Sequence, residues 1–127
     1  MSVVEEYDVY ARIGEDGFRR LVAAFYRQVP HDDILGPMYP AHDLSGAEKR
    51  LRDFLIFRFG GPPVYLEERG HPRLRMRHAP FAVTPDAGAR WMTLMNRALA
   101  EAALPEDATR VLRAFFESTA AFLHNRQ

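Results

Sequence analysis

Apolar residues recur at three- and four-residue steps along this sequence, and this period constrains the fold more than any other feature. The first long stripe of this kind comprises Phe18, Leu21, Val22, Phe25, Tyr26 and Val29. Such spacing places side chains on one face of an α-helix, which is expected to end near Pro30. No stretch combines alternating polarity with the β-branched and aromatic residues typical of strands. The sequence therefore predicts an all-α fold.

Boundary residues predict where the other helices begin. Residues 45–48 read Ser-Gly-Ala-Glu, which has capping-box spacing, and the helix that they open is expected to stop at residues 60–63. Residues 84–86 read Thr-Pro-Asp and provide a cap, a first-turn proline and a first-turn acid for a third helix. A fourth helix follows Pro105, and a short one is predicted over residues 2–12.

The segment from Gly60 to Val83 is long for a connection in a helical bundle, which usually takes about 2 to 8 residues. Its composition differs from that of a disordered linker. The apolar and aromatic residues in it, which normally seek burial, are Tyr65, Leu66, Leu74, Met76 and Phe81. One or two helical turns are predicted after Pro72, ending at Ala79-Pro80. We therefore expect an interior that accepts side chains from this segment.

Length and composition exclude several classes of protein. The 127 residues are the usual size of one domain, and we predict a single domain over residues 1–127. Cysteine is absent, which removes disulfides and thiolate metal ligands. The 17 basic residues balance 17 acidic ones, so no global field favours nucleic acid or an anionic membrane. No segment approaches the roughly 20 apolar residues of a membrane span, and the expected location is cytoplasmic.

Arginine is concentrated in one part of the chain. Four arginines fall between Arg69 and Arg77 with no acid after Glu68, and Lys49 is the only lysine. Because a guanidinium group offers a planar fork to carboxylates and phosphates, this stretch is suited to an anionic small molecule. Solvated surface charge explains the same pattern equally well.

His78 lies at the end of the short helix predicted after Pro72, where it would point inward beside Leu74. A neutral imidazole held there can ligate iron through one nitrogen while the other donates to a backbone carbonyl. A lone histidine is a weak signal, and a position at the surface or at the edge of the core fits the pattern as well. On residue pattern alone, His78 is therefore one candidate metal ligand.

Three aromatic side chains with a polar atom lie where the pattern predicts burial or a turn. At Tyr26, phenylalanine would pack equally well and leave no hydroxyl to satisfy. Trp91 poses the same question through its indole N–H, and Tyr39 follows Met38 at a turn. Each side chain can reach a backbone carbonyl or solvent separately, or the three can line one pocket.

Several longer segments resemble the truncated haemoglobins of group II. The most specific one spans residues 69–81 and reads RGHPRLRMRHAPF. The other matching segments are Met38-Tyr39-Pro40, Asp43-Leu44, residues 46–52 (GAEKRLR) and Gly60-Gly61-Pro62. The similarity extends from about Gly14 to Asn125 in the same order, which makes a chance likeness a poor explanation.

This resemblance implies a shortened globin fold, in which helices pack two over two around haem b and an irregular loop precedes the iron ligand. It assigns His78 as the proximal ligand of the iron and Tyr26 as the tyrosine facing the sixth position. Tyr39 resembles the aromatic residue at the turn beside the haem, and Trp91 the tryptophan that marks group II. Ala47 stands where many globins have a distal histidine, so that ligand stabilisation falls to Tyr26 and Trp91.

The resemblance also implies apolar walls and partners for the haem propionates. The walls are Leu51, Phe54, Leu55 and Met95, and the propionate partners are Arg50 and Arg77. Two positions depart from the family pattern. The glycine pair between the first two helices is here Gly14-Glu15, which leaves the geometry of the N-terminal helix open. The aromatic residue before Gly60-Gly61, often tryptophan, is Phe59, which alters one apolar wall.

Histidine-ligated haem with an open position binds oxygen and other diatomic ligands, and the distal donors decide between storage and chemistry. Two donors in an apolar pocket predict tight binding and slow release, which suits capture or chemistry better than delivery. The resemblance is compatible with nitric oxide dioxygenation or peroxide activation, with an unidentified reductase as electron donor. It does not establish an enzyme, and it assigns no catalytic residue.

Two other hypotheses remain open at this point. One is a haem-based gas-sensing or interaction module that acts on a separate partner, although no output domain is visible in the sequence. The other is a helical bundle without a cofactor. The sequence leaves open whether the chain is a monomer or a homodimer.

Overall fold

A computed structural model describes residues 4–78 and 83–125, and within these ranges it contains six α-helices and no strand. The helices are α1 (Val9–Gln28), α2 (Leu44–Arg58), α3 (Val64–Arg69), α4 (Leu74–His78), α5 (Pro85–Ala102) and α6 (Glu106–Phe122). The 3-10 turns are Glu6–Asp8, Val29–His31 and Gly36–Met38. The predicted all-α fold is confirmed. None of the helices in these ranges combines the length and hydropathy that crossing a bilayer requires.

Four long helices enclose the core in two layers. Helix α1 packs against both α2 and α5. Helix α6 packs against α5, and the short helix α3 packs against α2. The largest fully buried side chains include Phe18, Phe25, Leu55, Phe59, Met95, Leu112 and Phe116. The ring of Phe59 lies 6.1 Å from that of Phe18 and 5.0 Å from that of Phe115, so phenylalanine fills this wall of the core.

The start of the chain differs from its prediction. The α-helix begins at Val9, after a 3-10 turn over Glu6–Asp8, so only residues 9–12 of the predicted range 2–12 are α-helical. Gly14 interrupts α1 with φ 69° and ψ 178°, a region that only glycine adopts without strain. This single glycine turns the chain between the N-terminal turns and the long part of α1, where the family pattern has a glycine pair.

The two predicted helix caps have opposite outcomes. Helix α2 begins at Leu44, so Ser45 lies inside the first turn and the predicted capping box is wrong. The residue at the cap position is Asp43, whose side chain makes no capping hydrogen bond and instead accepts one from Arg50 at 3.4 Å. At α5 the prediction is confirmed, because the Thr84 hydroxyl oxygen accepts a hydrogen bond from the Ala87 N–H at 3.1 Å.

The long segment after α2 holds two short helices, α3 and α4, and the second confirms the turns predicted after Pro72. The expectation of burial holds only in part. Tyr65 is buried, whereas Leu66 is 42% exposed and Met76 58% exposed. Phe81 and the predicted stop at Ala79-Pro80 lie outside the described residues.

The conformation of Gly14 predicts a specific stability effect. Gly14→Ala is expected to lower the free energy of unfolding by about 1 to 3 kcal/mol, because the backbone conformation disfavours any Cβ. An added Cβ there meets no atom within 4 Å, so packing does not obscure the result. Denaturant unfolding measures the change, with Glu15→Ala, an exposed neighbour, as a control expected to stay within about 0.5 kcal/mol. Equal stability of Gly14→Ala and the parent protein would contradict this account.

Candidate functional site

His78 is the last residue of α4, and its side chain is half-buried. Its Nδ1 atom lies 2.7 Å from the carbonyl oxygen of Leu74. Because a carbonyl oxygen only accepts, Nδ1 carries the proton, and Nε2 of the neutral ring keeps its lone pair. Nε2 has no hydrogen-bond partner among residues 4–78 and 83–125. An imidazole fixed through one nitrogen with the other free is what ligation of a metal requires.

Asn125 fixes the end of α4 and was missed by the sequence reasoning. Its side-chain amide donates to the carbonyl oxygen of His78 at 3.2 Å, and its Oδ1 accepts from the N–H of Val83 at 2.8 Å. Asn125, three residues after the end of α6, thereby ties the helix that carries His78 to the segment that enters α5. A single asparagine near a chain end carries no sequence signal that would have revealed this contact.

Arg77, predicted beside the haem propionates, makes backbone contacts in the structure. Its Nε donates to the carbonyl oxygen of Pro72 at 2.7 Å. Its Nη2 donates to the carbonyl oxygens of Arg69 at 2.9 Å and His71 at 3.3 Å. These bonds stabilise the bend before α4, and the propionate role stays a prediction.

The structure brings the three polar aromatic residues together. The rings of Tyr26 and Tyr39 meet edge to face at 5.6 Å, and the indole N–H of Trp91 acts on the Tyr39 hydroxyl, whose pKa it lowers. The ring centroid of Phe25, on α1, lies 5.1 Å from that of Trp91 and 5.3 Å from that of Tyr26, so Phe25 contacts both rings. These contacts form one aromatic cluster with side chains from α1, α5 and the turn before α2.

Both tyrosines stay protonated far above neutral pH. Burial raises the pKa of Tyr26 well above its ordinary value, with a further contribution from Tyr39, while Arg50 opposes the shift. Burial also raises the pKa of Tyr39 to about 12, against the hydrogen bond from Trp91. Among the residues that the structure describes, the Tyr26 hydroxyl makes no hydrogen bond. Its proton is therefore available to a ligand in the pocket.

Helix α2 contributes apolar side chains and one cation. Ala47 and Leu55 are buried, as is Met95 on α5, while Leu51 is partly buried against the core. The charge of Arg50 on this helix lowers the pKa of Tyr26, and the charge of Glu48 raises it.

Phe54 lies apart from the three polar aromatic residues. Its ring packs on Tyr65 at 5.5 Å and on Phe115 at 6.4 Å, toward α3 and α6. Its predicted place in the haem wall has no support from a ring contact with Tyr26, Tyr39 or Trp91 among the described residues.

The described side chains fit a flat apolar cofactor that carries a metal. His78 offers a free ring nitrogen, Tyr26 an unpartnered hydroxyl, and Ala47 only a methyl group at the position nearest the distal side in the family pattern. The donor set of one imidazole with apolar walls suits iron in a porphyrin better than a metal held by protein ligands alone. No group of three or more histidines, cysteines or carboxylates with metal-binding geometry exists within the described ranges.

The pKa of Tyr39 predicts how stability changes in alkaline solution. Between pH 10 and about 12 the unfolded chain loses this proton while the folded chain keeps it, so the free energy of unfolding falls as pH rises. Tyr39→Phe is expected to remove that part of the fall, whereas Tyr7→Phe, at a residue 70% exposed, is expected to leave it. Denaturant unfolding at stepped pH values measures the slope. An unchanged slope in Tyr39→Phe would refute the burial of this hydroxyl.

Comparison with known proteins agrees with this geometry. The chain matches the model of the bacterial-like globin family over residues 8–125. The group 2 truncated hemoglobin YjbI of Bacillus subtilis is 36% identical over 117 residues, which are 92% of this chain and 88% of that protein.

Solved structures give the same result. The crystal structure of haemoglobin from Chloroflexus aurantiacus superposes with a TM-score of 0.90 at 45% identity, covering 93% of this chain and 98% of that one. The oxygen-avid truncated haemoglobin of Bacillus subtilis superposes with a TM-score of 0.88 at 36% identity, over 92% and 98% of the two chains. The chain therefore belongs to the bacterial-like globin family and, within it, to the group 2 truncated haemoglobins.

Proposed function

We propose that this chain binds haem b through Nε2 of His78 and holds oxygen tightly. The observation that carries the proposal is the 2.7 Å hydrogen bond between His78 Nδ1 and the Leu74 carbonyl, which leaves Nε2 free and oriented. Haem, when bound, supplies an iron with an open position for diatomic ligands. The similarity to a haemoglobin described as oxygen-avid supports tight binding.

The walls of the haem site come from the residues that the family resemblance selects. Leu51, Leu55, Met95 and Ala47 provide apolar surface, and Phe54 extends it toward α3. Arg50 and Arg77 are the cations for the propionates. Arg50 is available for this role, because its one ion pair among the described residues, with Asp43 at 3.4 Å, is long and partly exposed.

Tyr26 is the principal donor to a ligand in this proposal, because its hydroxyl proton has no other acceptor among the described residues. Trp91 has one N–H, and in this proposal it is directed to Tyr39, whose pKa it lowers. A tyrosine oxygen that accepts a hydrogen bond still has its own proton to donate. Trp91 therefore acts by holding Tyr39, and the second donor to the ligand is Tyr39 or, after a change of partner, Trp91 itself.

The expected chemistry follows from slow oxygen release. Phenolic donors in an apolar pocket stabilise negative charge that develops on oxygen, more strongly than they would in water. Such a pocket favours reaction of oxygen with nitric oxide, in which one electron from a reductase completes the conversion to nitrate. Reduction of peroxide is the second reaction that a pocket with these donors supports.

The assignment of His78 predicts loss of the cofactor on mutation. His78→Ala is expected to abolish stable haem binding, because His78 is the residue that the family resemblance assigns to the iron and its Nδ1 is fixed by the Leu74 carbonyl. His42→Ala, at an exposed position, serves as the matched control and should retain stable haem binding. The visible spectrum and haem content of the purified variants decide the question. A His78→Ala protein with full haem content and the parent ferrous spectrum would refute the assignment.

The donor arrangement predicts rates of oxygen release. Tyr26→Phe is expected to speed release several-fold to roughly tenfold, since a net hydrogen bond contributes about 0.5 to 1.5 kcal/mol. Trp91→Phe and Tyr39→Phe should each speed release, and their effects should not multiply in the double variant, because they belong to one hydrogen bond. Carbon monoxide, a poorer acceptor, should respond less.

Stopped-flow dissociation of oxygen measures these effects. Release at the parent rate from all three single variants would show that the aromatic residues only pack. Fully multiplicative effects of the Trp91 and Tyr39 changes would show that Trp91 donates to the ligand directly.

A further inference from the structure

A groove of about 370 Å³ lies between α4 and the end of α6; its lining includes none of His78, Tyr26, Tyr39 and Trp91, and it shares Phe54 with the proposed haem wall. Its volume is within the range of small-molecule sites, about 300 to 1,000 Å³. Its apolar surface comes from side chains on α2, α4 and α6: Phe54, Leu74, Met76, Phe115 and Phe122. Four of its remaining lining residues are basic, namely Arg58, His71, Arg73 and Arg75, and none is acidic.

Two of these apolar side chains are exposed to an unusual degree. Met76 is 58% exposed and Phe122, which continues the apolar stripe of α6, is 55% exposed. Both side chains line the same groove, so they form one apolar surface and are not two separate exposed apolar groups. Adjacent exposed apolar groups of this kind are typical of ligand-binding grooves.

The cations of the groove are not neutralised by the protein. Among residues 4–78 and 83–125, no carboxylate lies within 4.0 Å of the guanidinium groups of Arg73 or Arg75. Arg75 instead lies over the ring of Phe122, 5.2 Å from its centroid, at the border between the apolar wall and solvent. Arg58, by contrast, has a carboxylate partner in Glu6 at 3.1 Å. The groove thus offers two unpaired guanidinium groups beside an apolar surface.

We propose that this groove binds the anion of a medium-chain fatty acid. The acyl chain would lie along Leu74, Met76 and Phe122, and the carboxylate would meet Arg73 and Arg75. A small inorganic anion would leave the apolar wall uncovered, and a neutral apolar ligand would leave the two cations without a partner. This ligand also gives a use to the arginine-rich stretch before His78, which binding of haem does not require in full.

The first test compares fatty acids whose acyl chains differ in length. It measures binding of sodium octanoate and sodium decanoate to the haem-loaded protein. Isothermal titration should give one site per chain, with decanoate bound roughly four- to fifteenfold more tightly, as expected from burial of two more methylene groups. Decanol, which has the chain without the charge, should bind more weakly than decanoate. Equal affinity for octanoate and decanoate, or no saturable binding, would overturn the proposal.

Substitutions provide the second test. The double variant Arg73→Gln, Arg75→Gln is expected to weaken decanoate binding roughly three- to tenfold and to leave decanol binding unchanged. Phe122→Ala should weaken binding of both ligands, and because this side chain is 55% exposed, its removal is expected to leave the fold intact. The matched control is Arg97→Gln, Arg110→Gln, which removes two exposed arginines from α5 and α6 outside the groove. Decanoate binding that is the same in all these variants would contradict the assignment.

Two further outcomes would place the ligand elsewhere. If cyanide, a ligand of haem iron, abolishes decanoate binding, the carboxylate binds in the haem pocket and the proposal fails. If monomeric decanoate does not bind while vesicles of phosphatidylglycerol do, in a manner that depends on Arg73 and Arg75, the surface is a membrane contact and the proposal also fails. Retained binding of decanoate in the presence of cyanide supports the groove. The result is independent of whether His78 is the iron ligand.

Discussion

The packing of α1 against α5 is the contact on which the rest of this structure depends. Phe25 and Tyr26 lie on α1, Trp91 lies on α5, and the ring of Phe25 touches both of the others. The indole N–H also acts on the hydroxyl of Tyr39, on the turn before α2, and lowers its pKa. The same pair of helices that closes the core therefore positions the hydroxyl groups of the proposed ligand pocket, so the function and the stability of the fold share one interface.

The opposite side of the site depends on short-range bonds, because a helix of five residues has little stability of its own. Arg77 holds the bend before α4 through three backbone carbonyls, Leu74 accepts from the imidazole of His78, and Asn125 holds the carbonyl of the same residue. The iron ligand that we propose is thus oriented by polar contacts, whereas Tyr26, Tyr39 and Trp91 are oriented by packing. Loss of one polar contact is expected to affect orientation of the imidazole before it affects the fold.

Periodicity and caps predicted the long helices because burial of one face decides them, and Thr84 shows how a cap residue marks a boundary. The same reasoning was wrong at Ser45, because the N-cap position is taken by Asp43, two residues earlier. It could not foresee the exposure of Met76 and Phe122, since an apolar stripe does not show which neighbour covers it. His78 became a specific prediction only through the resemblance, and Asn125 could not be predicted, because its partners are distant in sequence.

The central claim is that Nε2 of His78 bonds to iron, and resonance Raman spectroscopy of the ferrous protein tests it most directly. An iron–nitrogen stretching band is expected, and it should shift when histidine is labelled with nitrogen-15. In His78→Gly the band should disappear, and added imidazole should restore a band without the shift from labelled histidine. A band that persists unchanged in His78→Gly, still sensitive to labelled histidine, would show that another histidine holds the iron.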